Sequence, residues 1–90
     1  MNEFHHKAFE HLEEEIEDAC EYLTEADAAE ADGRAYLARG MKDIAMEEYS
    51  HAHFLREYLI SRHAYYEHPN FEKVDQRWHK LREKFGFEHK

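Results

Sequence analysis

Apolar residues in this 90-residue chain recur three and four positions apart over most of its length, the spacing of one face of an α-helix. Over residues 3–31, Phe9, Leu12, Ile16, Ala19, Leu23 and Ala26 form one stripe. Ala8, Leu12, Glu15, Ala19, Tyr22, Ala26 and Ala29 form a second beside it. Two adjoining stripes make a face wide enough for more than one neighbour. Alanines crowd the end of this helix (Ala26, Ala28, Ala29, Ala31), which lets another helix come close. Asp32-Gly33 is the only convincing break before Pro69, because Gly33 can take the left-handed position that ends a helix. A second helix is predicted over residues 34–66, with the stripe Met41, Ile44, Glu48, His51, Leu55 and Tyr58. Gly40 inside it costs about 1 kcal/mol against alanine and is expected to mark a bend or a close helix contact.

A turn this short between two long amphipathic helices predicts an antiparallel hairpin. Residues 65–70 read as a linker in which Pro69 stops the second helix and Asn70 caps the next. A third helix is predicted over residues 71–85, with Phe71, Val74, Trp78, Leu81 and Phe85 on one stripe, expected as a bundle or oligomer contact. Gly86 ends it, and residues 87–90 read as a loose tail. The fold class is therefore all-α: a hairpin over residues 1–67, then a linker and a shorter amphipathic helix over 68–90. The stripes of two long helices are more than one hairpin covers, so dimerisation into a four-helix bundle is expected.

Charge narrows the function. Twelve basic residues stand against 21 acidic ones, for a net charge of −9, which argues against nucleic-acid and anionic-membrane partners. Apolar content of 42% separates the chain from a disordered acidic one. No apolar run approaches the roughly 18 residues of a membrane span, and the charged N-terminus does not read as a signal peptide. Cys20 is the only cysteine, so no internal disulfide forms, and a reducing, cytoplasmic setting is expected. Nine histidines raise the expectation of metal chemistry.

Two residues of the second stripe, Glu48 and His51, are metal-ligand types where a core residue should sit. Burying a lone carboxylate costs several kcal/mol unless a cation or partner meets it. Glu-x-x-His alone is weak in a chain this rich in both residues: Glu3 and His6 make another such pair, read as solvated surface. The pair at 48 and 51 carries more. Glu15 is equally out of place on the first helix, and Glu15 and Glu48 are symmetric about a centre between Ala31 and Asp32. In an antiparallel hairpin they therefore lie level. Tyr22, one heptad from Glu15, offers a hydroxyl to the surroundings of such a site. Asp18, Glu47 and His53 read first as solvated residues, His5, His6 and His11 as surface, and Cys20 as a small buried residue. Carboxylates with imidazole suit Fe, Mn or Zn, and carboxylates bridge ion pairs. One hairpin holds half of a two-metal site, and a two-fold dimer supplies the other half.

Glu15 and Tyr22 on the first helix, the turn at Gly33, the run Glu48-Tyr49-Ser50-His51 and the alanines Ala26, Ala29 and Ala45 together resemble one hairpin of the ferritin–rubrerythrin superfamily, over residues 8–60. The resemblance implies that Glu15, Glu48 and His51 are metal ligands and catalytic groups, with Glu48 or Glu15 bridging. It implies two iron ions per dimer, with Mn or Zn as other occupants, and oxidation of Fe(II) by oxygen or peroxide. A single hairpin is similar to the half-length, encapsulin-associated ferritins, which implies a homodimer or larger homo-oligomer and an encapsulating shell protein as partner. The chain departs from the family in three respects. It has no Cys-x-x-Cys pair, residues 84–90 do not match a shell-targeting peptide, and the third helix has no counterpart. Two other readings stand beside this one: a structural or assembly module with a vestigial or structural metal, and an acidic helical regulator that binds through the Trp78 face.

Overall fold

The computed structural model describes residues 1–87, and all regular structure among them is helical. Helix α1 spans Glu3–Ala31, α2 spans Ala35–Ser61, a single 3-10 turn covers Tyr65–Glu67, and α3 spans Phe71–Phe85. The Asn2 side chain starts α1 by accepting the His5 N–H at 2.8 Å. Gly33, at φ +77°, ends it as expected. The Arg34 N–H reaches back to the Ala29 carbonyl at 2.8 Å and the Gly33 N–H to that of Glu30 at 3.0 Å, which satisfies two carbonyls of the last turn.

Helix α2 stops at Ser61, five residues short of the predicted end at Tyr66. The same pair of bonds closes it, from Ala64 N–H to Leu59 O at 2.9 Å and from His63 N–H to Ile60 O at 3.0 Å. Here, however, the left-handed residue is His63, at φ +57°. No glycine or proline announces this stop; tertiary burial decides it. Ending at Ser61 turns Tyr65 back into the core, where its ring is fully buried and its hydroxyl donates to Asp75 Oδ1 at 2.7 Å. Arg56 Nη2 donates to the same oxygen at 3.2 Å, and its guanidinium lies 5.1 Å from the Tyr65 ring and 5.6 Å from the Trp78 ring. Burial pushes the Asp75 carboxyl up, but the Tyr65 hydroxyl, Arg56 and His79 together hold it below the ordinary carboxylate value. An ionised carboxylate thus ties α2, the 3-10 turn and α3 into one knot.

The linker is ordered too. The His68 ring stacks on Phe9 at 3.8 Å, and its Nδ1 accepts the Asn70 N–H at 3.1 Å. Burial lowers its pKa and favours the neutral ring. Asn70 holds the cap position of α3, but its side chain makes no capping bond, contrary to expectation; the linker satisfies the backbone through His68 instead. Val74, Trp78 and Leu81 are buried, so the α3 stripe packs back on its own hairpin. Phe87 is tied down rather than loose: its N–H bonds to Arg82 O at 2.9 Å and its ring lies 5.2 Å from Tyr49. Residues 88–90 of the expected tail lie outside the described residues.

Every residue of the first α1 stripe is buried, as predicted. The α2 stripe is shifted. Its seam is Ala38, Ala45, Tyr49, Ala52 and Leu59. Met41, Glu48, Leu55 and Tyr58 flank that seam half-buried, and Ile44 and His51 are exposed. Alanines take the centre because they let α2 come close to α1, and Tyr49 is drawn to α3. One face of the hairpin is therefore covered by α3, and the opposite face, which carries Glu15, Glu48 and His51, is open in the single chain. Ala26 and Ala29 serve the close approach, whereas Ala28 and Ala31 face solvent. Gly40 is exposed with open space around its Cα, so it marks no close contact. Among the described residues, no helix is long and apolar enough to cross a membrane.

Replacing His63 by glycine removes the steric cost of a left-handed L-residue without touching the core. His63→Gly is expected to raise stability by about 0.5–1 kcal/mol, a few degrees in a thermal melt of a domain this size. A lower melting temperature would mean that the α2 terminus is built differently.

Candidate metal centre

The antiparallel pairing of α1 and α2 levels residue 15 with residue 48, and one further turn of α2 brings His51 to the same place. Each of the three side chains offers a ligand atom, and those atoms all lie within 4.8 Å of one another, the one such group found among the described residues. His51 Nδ1 is 3.5 Å from Glu15 Oε2. Donors held at 2.0–2.2 Å from one ion stand roughly 3–4 Å apart, so a small contraction makes this a coordination site.

The electrostatics of the group are those of two carboxylates held close together beside an imidazole. The Glu15 side chain is only 24% exposed, and its buried Oε2 makes no hydrogen bond, with His51 Nδ1 standing off at 3.5 Å, an ion pair only when the imidazole is protonated. Such an acceptor costs free energy unless a donor or cation meets it. The close contact with the Glu15 carboxylate is the main cause raising the Glu48 carboxyl, with burial and the charge of Glu15 adding to it and His51 opposing. The donor set of two carboxylates and an imidazole fits a divalent transition ion, and three protein ligands leave positions free for bridging groups or substrate.

The remaining sequence candidates divide clearly. Tyr22 is half-buried on the same flank of α1, and no hydrogen bond links it to the cluster. Asp18 and Glu47 are exposed. His53 turns toward α3, its ring 6.1 Å from that of Trp78 and its Nε2 3.9 Å from Glu57, so it has no place at the site. His6 pairs with Glu10 at 3.0 Å and stacks on His68 at 5.4 Å, and His11 Nδ1 is 3.9 Å from Glu14. Cys20 is half-buried on the α3 side, where burial raises its thiol. His51 is 60% exposed, so the core position expected for it is instead a rim position of the open face. Sequence reasoning missed the contacts behind the site: Arg82 Nη1 donates to the Tyr49 hydroxyl at 2.7 Å, across 33 residues, and nothing local in the sequence signals it.

The Glu48 pKa carries a sign. A carboxyl raised in the fold contributes stability that is fully present below its unfolded value, near 4.5, and lost as pH rises through the raised folded value. At pH 7 the metal-free carboxylate pair is therefore a liability. Metal-free Glu48→Gln should melt at or above the wild-type temperature at pH 7, with the difference shrinking toward pH 4. Adding Mn(II) or Zn(II) should reverse the order, because ion at about 100 times Kd stabilises the wild type alone by about 2.7 kcal/mol. Equal stabilisation of both proteins would place the ion elsewhere.

Compared with family models, curated proteins and solved structures, the chain matches none, so the site stands on its own geometry.

Proposed function

We propose that this chain is a ferritin-like di-iron protein that oxidises Fe(II) at a carboxylate-bridged site completed by a second copy. One observation carries the reading: Glu15 Oε2, buried and making no hydrogen bond, sits against Glu48 and His51 on the face that α3 leaves open. A cation answers the orphaned oxygen, and a second chain answers the open face. Exposed apolar residues border that face, among them Leu37, Ile44 and, at 68% exposure, Phe54. Such a border around a polar centre is the pattern of an interface.

Two copies related by a two-fold axis bring together four carboxylates and two imidazoles, the complement of a carboxylate two-metal centre. In this reading Fe(II) is the substrate. Glu15 and Glu48 would neutralise the ion pair, one or the other bridging it, and His51 would supply a nitrogen through Nδ1. The apolar border limits water at the seam. Each pair of Fe(II) ions gives up two electrons, which with two protons reduce dioxygen to hydrogen peroxide, or peroxide to water. The acidic outer surface draws divalent ions inward. A shell protein is the partner that the resemblance to half-length ferritins implies. The second reading, a structural metal in a helical module, is favoured by the three donors already gathered within one chain, a set that suits a single Zn(II).

The test is Fe(II) oxidation in air, followed by ferric absorbance on protein purified without a chelating tag. Wild type should oxidise Fe(II) at least about 10-fold faster than Glu48→Ala, the scale of losing a ligand that acts on the reacting ions. If Glu48→Ala matches wild type while metal still raises the melting temperature, the structural reading stands and the oxidase falls.

A further inference from the structure

We infer that α3 is a rear brace for the metal centre and that Tyr49 is the positioning residue through which it acts, an inference that rests on the metal-centre reading above. Tyr49 and Glu48 are neighbours on α2, so their side chains leave the helix about 100° apart. Glu48 turns to Glu15 and Tyr49 turns to α3. There Tyr49 is held on all sides. Its hydroxyl accepts from Arg82 Nη1 at 2.7 Å, its ring stacks on Trp78 at 4.9 Å and 8°, and the rings of Phe85 and Phe87 each lie 5.2 Å away. Two of these partners, Trp78 and Arg82, are one helical turn apart on α3, so α3 grips the ring and the hydroxyl together. The alanine seam lets α2 lie close to α1 but offers no side chain long enough to fix its rotation. Tyr49 supplies that lock beside the ligand.

A carboxylate about 5–6 Å from the helix axis moves about 1 Å for each 10° of rotation. Metal–oxygen distances tolerate only about 0.2 Å. Docking of α3 and binding of the ion therefore act on one shared element, the rotational setting of α2 at residues 48 and 49. Coupling of this kind is reciprocal: the ion steadies α3, and α3 tightens the ion. No α3 side chain needs to reach the open face for this to hold.

Trp78 is the only tryptophan and lies against Tyr49, His53 and Arg56 of α2, so its emission reports on the contact between α2 and α3. The full-length protein is titrated with Zn(II), which has no redox chemistry, while Trp78 emission and the Zn(II) dissociation constant are followed. Wild type should bind with a change in Trp78 emission, and Glu48→Gln should lose both signals. Tyr49→Phe, which keeps the ring and removes only the hydroxyl, should remain helical yet bind Zn(II) about 10-fold more weakly. Arg82→Lys, which restores a donor to that hydroxyl, should recover affinity that Arg82→Leu does not. A merely structural role for Tyr49 would lower the melting temperature and leave the dissociation constant unchanged. If wild type binds Zn(II), Glu48→Gln abolishes binding, and Tyr49→Phe binds as tightly as wild type, the brace is overturned and the metal centre stands. If wild type binds no Zn(II), the metal-centre reading fails and takes this inference with it.

Discussion

The close antiparallel packing of α1 on α2 is the constraint from which everything else follows. Ala19, Ala26, Ala38, Ala45 and Ala52 are buried at the seam, and within one residue of the register that levels Glu15 with Glu48, Ala19 lies beside Ala45 and Ala26 beside Ala38. Small side chains on both helices bring the backbones near each other, as larger residues would not allow. That closeness lets two carboxylates on adjacent flanks come within reach of one ion. The turn at Gly33 sets the register, and a shift of one residue would move Glu48 about 100° around α2, away from Glu15.

The second long-range feature is division of labour between the faces of the hairpin. On the covered face Trp78, Leu81 and Val74 fill the core, and the Arg56–Asp75–Tyr65 knot with the Arg82–Tyr49 bond fixes α3 in place. There Asp75 is ionised because Tyr65, Arg56 and His79 surround it, although the buried Arg56 Nε itself makes no hydrogen bond. On the open face the situation is reversed. Two carboxylates approach each other, their contact raises the Glu48 carboxyl, and Glu15 Oε2 makes no hydrogen bond. Interiors rarely leave such groups unanswered, and where they do a ligand or ion is the usual reason. The same chain thus gathers the Arg56 and Arg82 hydrogen bonds on one face and two adjacent carboxylates on the other.

Much of this was legible in the residues. The α1 stripe from Phe9 to Ala26, the break at Gly33 and the α3 stripe from Phe71 to Phe85 appear as read, because each is written in local periodicity and an end signal. The level heights of Glu15 and Glu48 followed from the turn position alone. What was not legible depended on contacts distant in sequence. The end of α2 at Ser61 is set by burial of Tyr65 against Asp75, with a histidine in the place where glycine would have announced it. The seam of α2 runs through Ala45, Tyr49 and Ala52 rather than through Ile44, Glu48 and His51, because which of two adjacent stripes faces inward depends on how near the partner helix comes. The part played by α3 rests on Arg82 finding Tyr49, for which periodicity carries no sign.

The central claim is that Glu15, Glu48 and His51 are half of a centre shared by two chains. Native mass spectrometry of iron-loaded protein, which reads mass and bound metal together, tests it most directly. The account predicts a dimer carrying two iron ions, with metal-depleted samples shifted toward the single chain. A single chain that holds one ion, or a dimer that forms equally well without metal and binds none, would contradict it.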